Sequence, residues 1–219
     1  MDKLQISKQE PYDFYSYSRG IRLKLFMDIL FFIVIAYLGY KFIQVLIKMK
    51  QKVILPTTNE ERAAIRKIPG KIIDFPTYSK QKVAIIIYSF MLLFVIAIFV
   101  FGILSHNFGW SFYLLFFLPL SYSYNLLNLF AIVEGGLLSG SRFIPWNKIK
   151  SFHFVPIDIN HKYYGYTKEV NGGYELKVKA KLFSTSCIIT SAEMKEKLSN
   201  VLTEHAKVNE EESGVQEPR

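Results

Sequence analysis

From Val83 to Val133 the chain runs 51 residues without one Asp, Glu, Lys or Arg. The first part, Val83 to Leu104, is an almost unbroken run of Ile, Leu, Val, Phe and Ala, and the part from Trp110 onward is equally free of charge. Ser105-His106-Asn107-Phe108-Gly109 interrupts it with polar, flexible residues. The hydrocarbon core of a bilayer needs roughly 20 apolar residues per helix. The pattern therefore predicts two transmembrane helices, 83–104 and 110–128, joined by a tight loop. Leu25 to Ile47 is a third apolar stretch, broken by Asp28 near its start and by Lys41 and Gln44 near its end. Its uncharged centre, Ile29 to Tyr40, is only 12 residues long. Lys41 can carry its ammonium to the headgroups while its stem stays in lipid. On that basis residues 25–47 read as a span, with an interfacial or re-entrant helix as the alternative. Asp28 reads as an acid at the outer interface.

The segments between these runs have their own patterns. Residues 1–24 are polar and basic and carry Tyr12, Phe14, Tyr15 and Tyr17; amphipathic rings favour the membrane–water boundary, so this part reads as an interfacial lead-in. Residues 48–82 read as a basic loop. Thr58-Asn59-Glu60-Glu61 has capping-box spacing and predicts a short helix over 59–68, stopped by Pro69-Gly70. In the span 110–128, Pro119 predicts a kink. Ser121, Asn125 and Asn128 fall on one helical face, which reads as a polar contact with a neighbouring helix.

After Val133 the period changes from helical to two. Gly135-Gly136 and Ser139-Gly140-Ser141 are hairpin signals. Asn147 to Val155 reads as a strand. Tyr174 to Leu182 alternates cleanly: its apolar residues fall on even numbers, and Glu175, Lys177, Lys179 and Lys181 on odd ones. This predicts a half-buried strand with three lysines in a row on its solvent face. Cys187 to Thr190 reads as one more strand. Ser191 caps a helix to about His205 with Met194, Leu198, Val201 and Leu202 as its buried stripe. The tail 207–219, with Glu210, Glu211 and Glu212, reads as disordered.

Charge sets the orientation. The net charge is +9 with 51% hydrophobic residues, a combination that membrane spans with basic aqueous segments explain. Ten basic residues lie between 41 and 82: Lys41, Lys48, Lys50, Lys52, Arg62, Arg66, Lys67, Lys71, Lys80 and Lys82. The 105–109 loop holds none and the N-terminal segment five. The positive-inside rule puts the long loop and everything after residue 128 in the cytoplasm. The 21 lysines against 6 arginines fit an AT-rich bacterial genome. No cleavable signal peptide is expected, because the first apolar run starts after about 24 residues. The single cysteine, Cys187, permits no intramolecular disulfide and reads as a buried apolar residue.

A resemblance follows from Phe143-Ile144-Pro145-Trp146-Asn147-Lys148-Ile149-Lys150. Strand hairpins before this segment, more strands after it and one closing helix resemble bacterial pleckstrin-homology-like domains. In those domains an Ile-Pro-Trp-x-x-Ile segment links an early hairpin to the next strand, and Ile144, Pro145, Trp146 and Ile149 match it. The match covers Leu129 to His205. It implies an interaction module, here with an abbreviated antiparallel sheet, of the kind that often follows a membrane hairpin. Related proteins associated with envelope stress or bacteriocin resistance extend the implication.

The sequence thus predicts a bacterial plasma-membrane protein with three spans and a small cytoplasmic α+β domain over 129–206. The expected partners are anionic lipids of the inner leaflet and a protein partner or second copy, not nucleic acid. Lys177, Lys179, Lys181, Arg62, Arg66 and Lys67 are the candidate contacts. No HExxH, Walker, GxSxG or CxxC pattern occurs. His106, His153, His161 and His205 have no metal-ligand spacing. No cofactor, metal or enzymatic role is expected. The alternative is a small oligomeric channel or transport subunit lined by Ser121, Asn125 and Asn128.

Overall fold

The computed structural model describes residues 11–105, 114, 126–181 and 183–206, with side chains from residue 22 onward. In chain order, α1 (Pro11–Lys48) leads to β1 (Val53–Leu55), α2 (Asn59–Ala63), β2 (Ile65–Ile68), β3 (Lys71–Ile72) and α3 (Tyr78–Leu104). Then come β4 (Phe130–Val133), β5 (Gly136–Ser139), β6 (Arg142–Pro145), a 3₁₀ turn (Trp146–Lys148) and β7 (Ile149–Pro156). The last elements are α4 (Lys168–Asn171), β8 (Tyr174–Ala180), β9 (Ser184–Ile189) and α5 (Ala192–Ala206). Two compact units result: Met1–Gly39 with Met91–Ser121, and Tyr40–Phe90 with Tyr122–Arg219.

In the first unit, Phe31 and Ile35 of α1 and Val95 and Phe99 of α3 form a small buried cluster, flanked by Met27, Leu38 and Met91. Gly39 lets the helices approach: a Cβ there would lie 3.8 Å from Leu92 Cδ2. Most of the remaining apolar surface is bare, with Leu93 65% and Leu104 74% exposed. Arg22–Lys48 and Tyr78–Leu104 are each 27 residues long and apolar enough to cross a membrane, which at about 1.5 Å per residue is roughly 40 Å of helix. The candidate span Arg22–Lys48 covers the apolar stretch 25–47, and the helix that contains it begins earlier, at Pro11. The fixed φ of proline suits a first helical position, so the aromatic lead-in continues the helix. The span expected at 110–128 falls almost wholly outside the described residues, as do the 105–109 loop beyond Ser105 and the tail 207–219.

The second unit contains two antiparallel sheets, ordered β1-β4-β5-β6 and β3-β2-β9-β8-β7. Two hairpins build the first sheet. Val133 pairs with Gly136 and Ser139 with Arg142, each across a two-residue turn. Gly136 is obligatory there. Its φ is +150°, and a Cβ would sit 2.1 Å from the Ile144 carbonyl oxygen. Even-numbered residues of β4, Phe130 and Ile132, enter the main core with Leu137, Ile144, Phe152, Leu176, Val178 and Ile189. The odd-numbered Ala131 and Val133, with Leu129 just before the strand, pack with Val45 and Met49 of the α1 end and with Ala84 and Ile85 of α3. The first sheet is therefore covered on both faces, by helix ends on one side and by the second sheet and α5 on the other. Ser191 Oγ accepts the Met194 N–H at 3.1 Å, and Met194, Leu198 and Leu202 close the core as the sequence predicts.

Two expectations need correction. Residues 48–82 are not a loop. They supply β1 to the first sheet and β2 and β3 to the second, so the domain expected at 129–206 is completed by strands from before α3. With these strands the sheets are four- and five-stranded and are not the abbreviated sheet expected. The helix expected over 59–68 ends at Ala63. Its capping box is present, with Glu61 N–H donating to Thr58 Oγ1 at 3.2 Å. Ile65 then pairs with Ile189 and is fully buried; core burial and β9 pairing outweigh helical continuation.

Candidate functional site

Cross-strand register decides which side chains share the outer face of the second sheet. His153 stands opposite Lys177, and Ser151 opposite Lys179, on the β7 side. Ser186 stands opposite Lys177, and Ser184 opposite Lys179, on the β9 side. Directly opposed residues point to the same face, so amines, hydroxyls and an imidazole meet on one surface. With Lys162 from the β7–α4 connection, His153, Lys177, Lys179, Ser184 and Ser186 line a groove of about 360 Å³. The inner face of these strands joins the main core through Phe152, Phe154, Leu176 and Val178.

Glu175 organises one end of the groove. The sequence pattern placed it among solvent-facing residues, yet its side chain is 1% exposed. Lys162 Nζ lies 3.0 Å from Oε1, and Lys177 Nζ lies 3.5 Å and His161 Nε2 3.1 Å from Oε2. Burial by itself pushes this carboxyl up. The Lys162 and Ser186 hydrogen bonds and the charges of Lys162 and Lys177 more than offset that, holding it below the usual carboxylate range. The same contact raises Lys162 above an ordinary lysine, despite its partial desolvation. No spacing rule connects Glu175 with His161 and Lys162; the only sequence signal was one acid in a row of lysines.

Lys177 is thus an ion-paired residue at the groove wall. Lys179 is exposed, and Lys181 lies just past β8, where its N–H bonds the Lys148 carbonyl at 3.1 Å. The other basic candidates hold the fold. Lys67 sends its ammonium between the sheets, to Ser139 Oγ at 2.9 Å, Thr185 Oγ1 at 3.1 Å and the Ser186 carbonyl at 3.0 Å. Those three acceptors use all three ammonium donors. Burial lowers the Lys67 pKa, opposed by the Cys187 thiol and reinforced by Arg142. Arg66 bonds the Pro69 carbonyl at 3.2 Å and lies 4.0 Å from Glu169. Arg62 bonds the Ile73 carbonyl at 3.4 Å and stacks on Phe75 at 5.2 Å. These three do not join the Lys177 row.

The polar face Ser121, Asn125 and Asn128 is described only at Asn128. That residue is in non-helical chain just before β4, and is 4% exposed. Its Nδ2 donates to the Ile72 carbonyl at 2.6 Å and to Asp74 Oδ2 at 3.2 Å, and its carbonyl accepts the Asp74 N–H at 2.9 Å. Asn128 therefore ties the chain entering β4 to the chain leaving β3. Ser121 and Asn125 lie outside the described residues.

Basic residues also gather where the helices meet the first sheet. Lys48 Nζ lies 5.0 Å from the Phe143 ring centroid and Lys50 Nζ 5.9 Å from that of Tyr78. Tyr78 Oη donates to the Leu46 carbonyl, and Phe42 stacks on Tyr88 at 4.2 Å, which fastens the two helix ends together. In the Ile-Pro-Trp segment, β6 ends at Pro145 and β7 starts at the buried Ile149. Trp146 packs on the core rim, and its Nε1 donates to the Glu134 carbonyl at 2.8 Å. Cys187 is fully enclosed, and burial pushes its thiol far above the usual range, which keeps it unreactive. Among the described residues no group of His, Cys, Asp or Glu could hold a metal ion. Compared with known proteins, the chain matches no family model, no curated protein and no solved structure.

Proposed function

We propose that this chain is a non-enzymatic, membrane-anchored interaction module of the bacterial plasma membrane. The two long apolar helices moor the two-sheet domain at the cytoplasmic leaflet. One observation carries this reading: the ends of these bare helices pack directly on the first sheet through Val45, Met49, Leu129, Ala131 and Val133. A domain attached this way stays close to the bilayer. Exposed apolar surface of that extent is costly in water and is matched by lipid. Lys48, Lys50, Lys52, Lys80 and Lys82 cluster beside the helix ends in sequence, and each basic group near an anionic leaflet is worth about 1 kcal/mol. Lipid contact belongs to these residues, while the Lys177–Lys179 face is left for an aqueous partner.

Sidedness is testable with the full chain. Cys187 is buried, so a cysteine introduced as Lys179→Cys becomes the reporter for an impermeant maleimide. The expected result is labelling only after cells are permeabilised, with the protein retained in membranes through alkaline extraction. Labelling on intact cells, or release by alkali, would overturn the reading.

A further inference from the structure

We propose that the groove between β8, β9 and the β7–α4 connection binds the phosphate group of a small water-soluble ligand. This goes beyond the anchoring role and does not depend on it. Three features support it. The first is convergence: Lys162 and Lys177 are drawn to one carboxylate, at 3.0 and 3.5 Å, so their ammoniums are held together before any ligand arrives. The second is donor chemistry: Lys179 continues the row, and Ser184 stands directly across from it, while the Ser186 hydroxyl across from Lys177 is held by Glu175. Ammonium and hydroxyl donors from three chain segments therefore face one volume. A phosphate, with several acceptor oxygens, uses such a set better than a carboxylate does.

The third is charge. The groove is lined by Lys162, Lys177 and Lys179 against Glu175, three positive charges and one negative, a net of +2 from these four residues. A phosphomonoester carries about −1.5 to −2 at neutral pH, so it would come close to neutralising this lining. The volume of about 360 Å³ suits a small molecule better than a protein surface.

The test uses the full chain in neutral detergent, titrated calorimetrically with glycerol 3-phosphate, with glycerol and acetate as controls. Saturable binding of glycerol 3-phosphate, with none of glycerol and much weaker binding of acetate, is expected. Lys179→Gln should weaken it about tenfold, the loss of one charge-assisted contact, because Lys179 is exposed and outside the Glu175 pairs. Lys150→Gln, on exposed β7 surface away from the groove, should bind as the wild type does. An unchanged thermal midpoint in both variants separates lost binding from lost folding. No saturation up to about 10 mM overturns the proposal, as does equal weakening by Lys150→Gln. A second arm uses vesicles containing phosphatidic acid. Vesicle binding that needs Lys179, without binding of glycerol 3-phosphate, overturns the soluble source.

Discussion

In the first sheet, β4 buries all four of its residues, Phe130, Ala131, Ile132 and Val133. In the second, β8 buries Leu176 and Val178 while Lys179 stands in solvent. The ladders are alike; the neighbours differ. The first sheet lies between the helix ends and the core, so every position meets apolar atoms and the strand is apolar throughout. The second has a free face only around Lys177 and Lys179, where β8 alternates; beside Glu175 the same face carries Ile188 packed on Ile157 and Val170, and there β9 is buried on both faces. Burial of Glu175 on the polar face then adds local chemistry to an otherwise solvated surface. A continuous apolar strand thus marks a layer with two partners, and an alternating one marks a layer with a free face.

The largest expected effect tests whether the two sheets stand or fall together. Both borrow strands from residues 53–72. A fragment spanning 129–206 therefore lacks β1, β2 and β3 and loses the fully buried Ile65 from its core. It should show no cooperative unfolding by circular dichroism and poor amide dispersion by NMR. A fragment that folds would show that the early strands only decorate the domain.

Next in size is a matched pair of charge changes. Ala131→Glu places a carboxylate among Leu129, Val133 and the helix ends, where Ala131 is fully buried. An unpaired buried charge should destabilise by about 3 kcal/mol or more. Lys179→Glu, on the free face, should stay within about 0.5 kcal/mol. Thermal midpoints of both variants in the same detergent settle the contrast, and similar losses would dissolve it.

The smallest effect concerns the buried acid of the alternating sheet. Glu175 has a folded-state pKa below its unfolded value of about 4.3. The sign follows from proton linkage. The unfolded chain takes up the proton first as pH falls, so the stability from this group is fully present above pH 4.3 or so. It is lost as pH drops through the lower, folded value. Glu175→Gln should cost roughly 1 kcal/mol near neutral pH, reduced by screening because Lys162 and Lys177 are 59% and 41% exposed. The variant should also show a flatter acid limb than the wild type in denaturant melts at successive pH values. Equal acid limbs would show that the pairing carries no net stability.

Much of this architecture was legible from local pattern. The apolar run starting at Val83, the turn glycines before β5 and β6, the alternation of β8 and the Ser191-capped final helix each depend on neighbours in sequence. Their periods therefore reveal them. Other features were not legible because they depend on distant partners. Ile65 follows a well-capped helix, and only pairing with Ile189 turns the chain into a strand there. Lys67 looks like a surface cation, and only Ser139 and Thr185 from two different sheets draw it inward.

By itself the sequence determined the apolar helices, the uneven distribution of basic residues around them and the presence of a strand-rich domain closed by a helix. These follow from solvent partition and backbone periodicity, which act over a few residues. The tertiary structure alone decided that strands on both sides of α3 complete one domain, that Glu175 is interior, and that Lys177 and Lys179 border a groove with Lys162. Those outcomes arise from pairing and layering between segments far apart in the chain, where burial energy outweighs local propensity.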